Sequence, residues 1–132
     1  MPEPFSLKQK VAIVTGASKG IGLSIAHALA QQGATVILSS RKQEAVDQEA
    51  AAMRAAGLDA HAYACHMGDM AEIAALVHHV QNNYGGVDII VNNAAINPSF
   101  GPVLETDMKV FDKIMDVNVK RPMELAKLAH PL

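Results

Sequence analysis

Thr15-Gly16-Ala17-Ser18-Lys19-Gly20-Ile21-Gly22 follows an apolar run, Val11-Ala12-Ile13-Val14. It opens a segment in which Ile21, Ile25, Ala28 and Leu29 recur at helical spacing. The stretch therefore reads as strand, glycine turn and helix. Such a turn aims several backbone N–H groups and the positive end of a helix at one point, which suits a phosphate. Glycines serve there because a side chain would hold the ligand away from the backbone.

The same alternation continues on both sides of the turn. Strand one is expected over residues 10–15 and the first helix over 21–32, with Gly33 ending it. Strand two, 34–39, is aliphatic and β-branched without alternation, as a strand buried on both faces requires. A helix over 43–56 carries Val46, Ala50 and Met53 on one face. Strand three is expected over 59–65. Asp69 is placed to cap a third helix, striped by Ile73, Leu76, Val77 and Val80, which Gly85-Gly86 ends. Strand four, 87–91, is followed by a polar loop from Asn92 to about Thr106, of which 97–102 should line one wall of a cleft. From Asp107 the chain is helical again, with Phe111, Ile114 and Met115, then Leu125, Leu128 and Ala129, turned inward.

Alternating apolar strands and amphipathic helices predict an α/β fold: a Rossmann-like, doubly wound parallel sheet in the order 3-2-1-4. Residues 1–132 read as one partial nucleotide-binding domain. A full dinucleotide fold would add strands five and six, so the expectation is a truncated sheet whose fourth strand has a bare apolar edge, prone to pair with another chain.

Composition narrows the function. Of 132 residues, half are hydrophobic and 18% are charged, with 11 Lys plus Arg against 13 Asp plus Glu. A formal charge of −2 argues against a basic nucleic-acid surface. The lone Cys65 excludes an internal disulfide framework and makes a reducing cytoplasm the default. No run approaches the ~20 apolar residues of a membrane span. Cys65-His66 and His78-His79 are adjacent pairs that diverge on a strand or a helix, so no metal site is expected.

The glycine spacing, Gly-x-x-x-Gly-x-Gly, is neither the commonest dinucleotide fingerprint nor a P-loop, because Lys19 precedes Gly20. It matches the Thr-Gly-x-x-x-Gly-x-Gly motif of the short-chain dehydrogenase/reductase family. Asn92-Asn93-Ala94-Ala95 resembles that family's Asn-Asn-Ala-Gly, with Ala95 in the glycine place, and Asn118 resembles its catalytic asparagine. Ser39-Ser40-Arg41-Lys42, Cys65-His66-Met67-Gly68 and 93–98 are similar to the NADPH-dependent carbonyl/retinal reductase branch.

The resemblance implies cofactor contacts from Gly16, Ser18, Lys19, Gly20, Ile21 and Gly22, from Ser40 and Arg41, from His66 and Met67, and from Asn93, Ala94 and Ala95. An NAD site would place a carboxylate at the end of strand two. Here Ser40 fills that slot, and Arg41 with Lys19 suits a 2′-phosphate, so NADP(H) is expected. His66 stands where the family usually presents an aspartate to the adenine; it could stack, donate, or leave the contact to backbone groups. Asn118 lies four residues before Pro122, which has no N–H, so the helix should bend and free the Asn118 carbonyl to hold a water in a proton relay.

By resemblance the chain is an oxidoreductase that moves hydride between nicotinamide and a small carbonyl or alcohol substrate, and is commonly a homo-oligomer. That chemistry needs a serine and Tyr-x-x-x-Lys. Four residues after Tyr63 and Tyr84, the only tyrosines, stand Met67 and Asp88. Catalysis by these residues alone is therefore not expected. The alternatives are a non-catalytic nucleotide-binding module and a fragment paired by its edge in an assembly.

Overall fold

A computed structural model describes residues 3–98 and 100–132. Four parallel strands, β1 (Val11–Thr15), β2 (Thr35–Ser39), β3 (Ala60–Ala62) and β4 (Ile89–Val91), form one sheet in the order β3-β2-β1-β4. Ile13 pairs with Ile37 of β2 and with Ile90 of β4, so β1 is central.

Side chains of each strand alternate between two cores. Ala12, Val14, Val36 and Leu38 pack with helices α1 (Gly20–Gln31) and α2 (Gln43–Ala55). Ile13 and Ile37 face the other way, toward Ile73, Leu76 and Val80 of α3 (Met70–Tyr84) and Leu125 and Ala129 of α5 (Arg121–Ala129). Helices thus cover both faces, as predicted. The α4 helix (Met108–Met115) and a π-helical turn (Asp116–Lys120) lead into α5.

Three local expectations are corrected. The buried face of α1 is Gly22, Ala26 and Ala30, while Ile21 is 74% exposed. Small residues let this helix lie close against the glycine turn, a requirement that outweighs hydrophobic bulk. Regular β3 ends at Ala62, yet Tyr63 and Cys65 still donate their N–H groups to Leu38 and Ser40 carbonyls, so the chain follows β2 without strand geometry. Phe111 and Met115 are exposed. The extra residue of the π turn breaks the register between α4 and α5, so one stripe cannot serve both.

The predicted stop and start signals are in place. Asp69 accepts from the N–H groups of Ala71 and Glu72, and Gly85 closes α3 at φ 86°. Pro122 sits in the first turn of α5, and the helix ahead of it widens, with the Arg121 N–H donating to the Asp116 carbonyl.

Candidate functional site

A cleft of about 770 Å³ opens at the carboxyl ends of the strands, where β1 separates the two directions of sheet growth. Gly16, Ser18, Lys19, Gly20 and Ile21 line it from the turn after β1, and Ser40 and Arg41 from the end of β2. His66 and Met67 line it from the segment after β3, and Asn93, Ala94 and Ala95 from the segment after β4.

The turn is held from beneath by one hydroxyl. Thr15 is buried; its Oγ1 donates to the Val91 carbonyl at 3.3 Å and accepts from the N–H groups of Asn93 and Ala94 at 3.1 and 3.0 Å. These three bonds use the whole capacity of a hydroxyl. Asn93 Nδ2 donates to the Gly16 carbonyl at 3.0 Å, which locks the β4 loop to the turn. Gly16 and Gly20 have φ of 62° and 61°, where a side chain is strained. Gly22 lies outside the lining. A Cβ there would run into the Gly16 carbonyl oxygen, so its role is close packing of α1 against the turn.

The electrostatics favour an anion. Lys19, Arg41, Lys42 and Lys113 line the cleft, and among the described residues no Asp or Glu does. The α3 and α4 helices begin with capping aspartates, Asp69 and Asp107, whereas α1 has no side-chain cap and no acid in its first turn. Its first N–H groups, beside the Gly20 turn, are left for a ligand. Nothing of the protein lies within 4 Å of a Cβ built on Gly20. These features fit a pyrophosphate.

Farther along the cleft, His66 folds back on its own turn. Its Nδ1 accepts from the Gly68 N–H at 2.9 Å, and its backbone N–H donates to Glu72 Oε1 at 3.3 Å. The thiol of Cys65 is buried, and burial, with Glu72 and Asp69 adding to it, pushes its pKa up to about 12. It is therefore a neutral wall of the cleft, not a nucleophile.

Asn118 does not itself line the cleft; Val117 and Lys113, one turn apart on the same face, do. The Asn118 side chain accepts from the Ile96 N–H and donates to the Ile96 carbonyl, both at 2.8 Å. This paired contact moors the β4 loop to the helix, and Ile96 is the last loop residue in the lining. Asn97, Pro98 and 100–102 do not line the cleft, and Ser99 lies outside the described residues. Neither tyrosine lines it: Tyr63 stacks on His79 at 4.4 Å, and Tyr84 packs on His61. Sequence reasoning missed Thr15 as the clamp and Lys113 as a cleft cation. No local pattern in the sequence marks either role, since each depends on contacts between distant segments.

A family model described as short chain dehydrogenase matches residues 10–132. The chain belongs to that family. Over 125 residues it is 47% identical to dehydrogenase/reductase SDR family member 4 of Oryctolagus cuniculus and 44% identical to the Homo sapiens protein of that name, covering 95% of this chain and 48% and 45% of theirs. Among solved structures it is similar to a metagenomic short-chain oxidoreductase in complex with NADP, with a TM-score of 0.88, 36% identity, and coverage of 95% of this chain and 57% of that one. It is also similar to 2-keto-3-deoxy-D-gluconate dehydrogenase from Streptococcus agalactiae, with a TM-score of 0.82, 40% identity, and coverage of 96% and 47%. The chain spans about half the length of the curated relatives it matches. Family members are oxidoreductases that use nicotinamide cofactors on small molecules and are commonly oligomeric. No helix among the described residues is long and apolar enough to cross a membrane.

Proposed function

We propose that the cleft binds NADP(H) and that the chain supplies the cofactor-binding part of a carbonyl reductase. The observation that carries this is a cleft lined, among the described residues, by four cations and no carboxylate, at the uncapped start of α1. Backbone N–H groups of the Gly16–Gly20 turn and of Ile21 hold the pyrophosphate. Lys19, Arg41 and the Ser40 hydroxyl hold the 2′-phosphate, and Ser18 closes the turn over it. Asn93, Ala94 and Ala95 back the nicotinamide end, held in place by Thr15. When bound, the cofactor supplies or accepts the hydride exchanged between a carbonyl and an alcohol.

Asn118 acts through its main chain. Its side chain is committed to Ile96, and Pro122 offers no N–H to its carbonyl, which is the atom available to hold a water for proton transfer. The 132 residues contain no Tyr-x-x-x-Lys. Cofactor binding without appreciable reductase activity is the expected property of these residues alone, and the working protein is a homo-oligomer.

The test is a fluorescence titration of the purified chain with NADPH and NADH. NADPH should bind more tightly. Arg41→Ala should weaken NADPH by ~10–100-fold, the value of a charged hydrogen bond, and leave NADH within about twofold. Ser40→Asp combined with Arg41→Ala should reverse the preference. Retained NADPH preference in the double variant overturns the assignment, and reduction of a diketone by the pure chain overturns the expected inactivity.

A further inference from the structure

The loop between β2 and α2 carries two of the cleft's cations, Arg41 and Lys42. Both residues are exposed, and neither N–H bonds to the protein among the described residues. The Arg41 guanidinium has no carboxylate partner there either. Within the loop itself one long hydrogen bond forms, from the Ser40 hydroxyl to the Lys42 carbonyl at 3.4 Å. The shape of this span therefore depends on how its ends are held.

Both ends are fastened to the segment after β3, at consecutive residues. The Ser40 carbonyl accepts from the Cys65 N–H at 2.8 Å. At the other end Gln43, the first residue of α2, accepts from the Ala64 N–H through Oε1, also at 2.8 Å. The amide has only one usable orientation. Its Nε2 donates to Asp47 Oδ1 at 2.8 Å, one turn along α2. Turned over, it would set oxygen against that carboxylate and a donor against the Ala64 N–H. Arg41 and Lys42 thus sit on an arch tied down at both feet, and Gln43, which ties the second, does not itself line the cleft.

We infer that Gln43 is a positioning residue for dinucleotide selection: by pinning the start of α2 to Ala64, it holds Arg41 where a 2′-phosphate would meet it. The inference rests on the cofactor reading above and assigns a residue that acts through Arg41. A cation held in place before binding loses less freedom on binding, and only a ligand with the extra phosphate gains from that.

Gln43→Met keeps side-chain length and helix propensity and removes both hydrogen bonds. Gln43 is exposed, so the variant leaves no cavity and should fold as the wild type does. In fluorescence titrations of the purified chain it should bind NADPH ~3–10-fold more weakly, the value of about one hydrogen bond, and NADH within about twofold of wild type. The loss should need Arg41: in the Arg41→Ala background, Gln43→Met should change NADPH binding by less than about twofold. Proton–nitrogen NMR without ligand should show the Ala64 amide proton moving upfield in Gln43→Met, as an amide does when its acceptor is lost.

A merely structural role would weaken both dinucleotides alike and would persist without Arg41. Equal weakening of both, an undiminished effect in the Arg41→Ala background, an unchanged NADPH affinity or an unmoved Ala64 amide overturns the inference. If the wild type prefers NADPH and Arg41→Ala removes that preference, such a failure touches Gln43 alone. If the wild type binds both dinucleotides equally, the 2′-phosphate reading falls and this inference falls with it.

Discussion

Thr15 places three hydrogen bonds on one hydroxyl and thereby sets the distance between the glycine turn and the β4 loop. Its side chain is buried, so deleting the hydroxyl leaves the Ala94 N–H without its partner, while the Asn93 N–H keeps its second acceptor, the Val91 carbonyl at 3.1 Å. Each unsatisfied buried group costs roughly 1–3 kcal/mol. Thr15→Val should therefore destabilise by about 1–3 kcal/mol, whereas Thr15→Ser, which keeps the oxygen, should lose less than about 1 kcal/mol. Urea denaturation checks this: the midpoint should fall with an unchanged m-value. Thr15 was visible in the sequence as part of a motif, but its partners lie 76 to 79 residues away and no local pattern announces them. The same holds for Asn118, whose polarity on a helix was legible and whose partner, Ile96, was not.

At the level of elements, the edge between β2 and β3 is sensitive to acid. The Thr35 hydroxyl donates to Asp59 at 2.6 Å, and His61 lies 2.6 Å from the other carboxylate oxygen. The Thr35 bond chiefly, with His61 helping and partial burial opposing, holds the Asp59 carboxyl below its ordinary 3.8. A depressed carboxyl contributes stability that is full above the unfolded value and is lost as pH falls through the folded one. Thr35→Val should bring Asp59 back toward 3.8 and move the start of acid unfolding to higher pH. Carbon-13 NMR titration of the Asp59 carboxyl beside circular dichroism against pH measures both. Strand existence and order were legible because apolar continuity marks β1, β2 and β4 and strand–helix alternation places β3, whose own residues, Ala60-His61-Ala62, are not continuously apolar. The short extent of β3 was not, because hydrogen bonding to Leu38 and Ser40 continues after strand geometry ends.

For the whole molecule, the proposed ligand would touch the turn after β1, the end of β2, the segment after β3, the β4 loop and the α4 region together. Binding that couples all of these should raise global stability. At 100 times its dissociation constant a ligand adds about 2.7 kcal/mol. NADPH should therefore raise Tm by several degrees, and in Arg41→Ala most of that increase should disappear while any NADH effect persists. Differential scanning fluorimetry decides it; an equal shift from both dinucleotides in the wild type would count against the 2′-phosphate site.

The order of strands, the two-sided helical cover and the position of the glycine turn follow from contiguous residues. Period, turn chemistry and capping act over a few positions, so the one-dimensional chain already contains them. Only the tertiary structure decided that Gly22, Ala26 and Ala30, not Ile21, face the sheet. It also decided that Lys113 enters the cleft and that His66 turns back onto Gly68. Those outcomes depend on how closely packed elements exclude one another's atoms, and that is settled when distant segments meet.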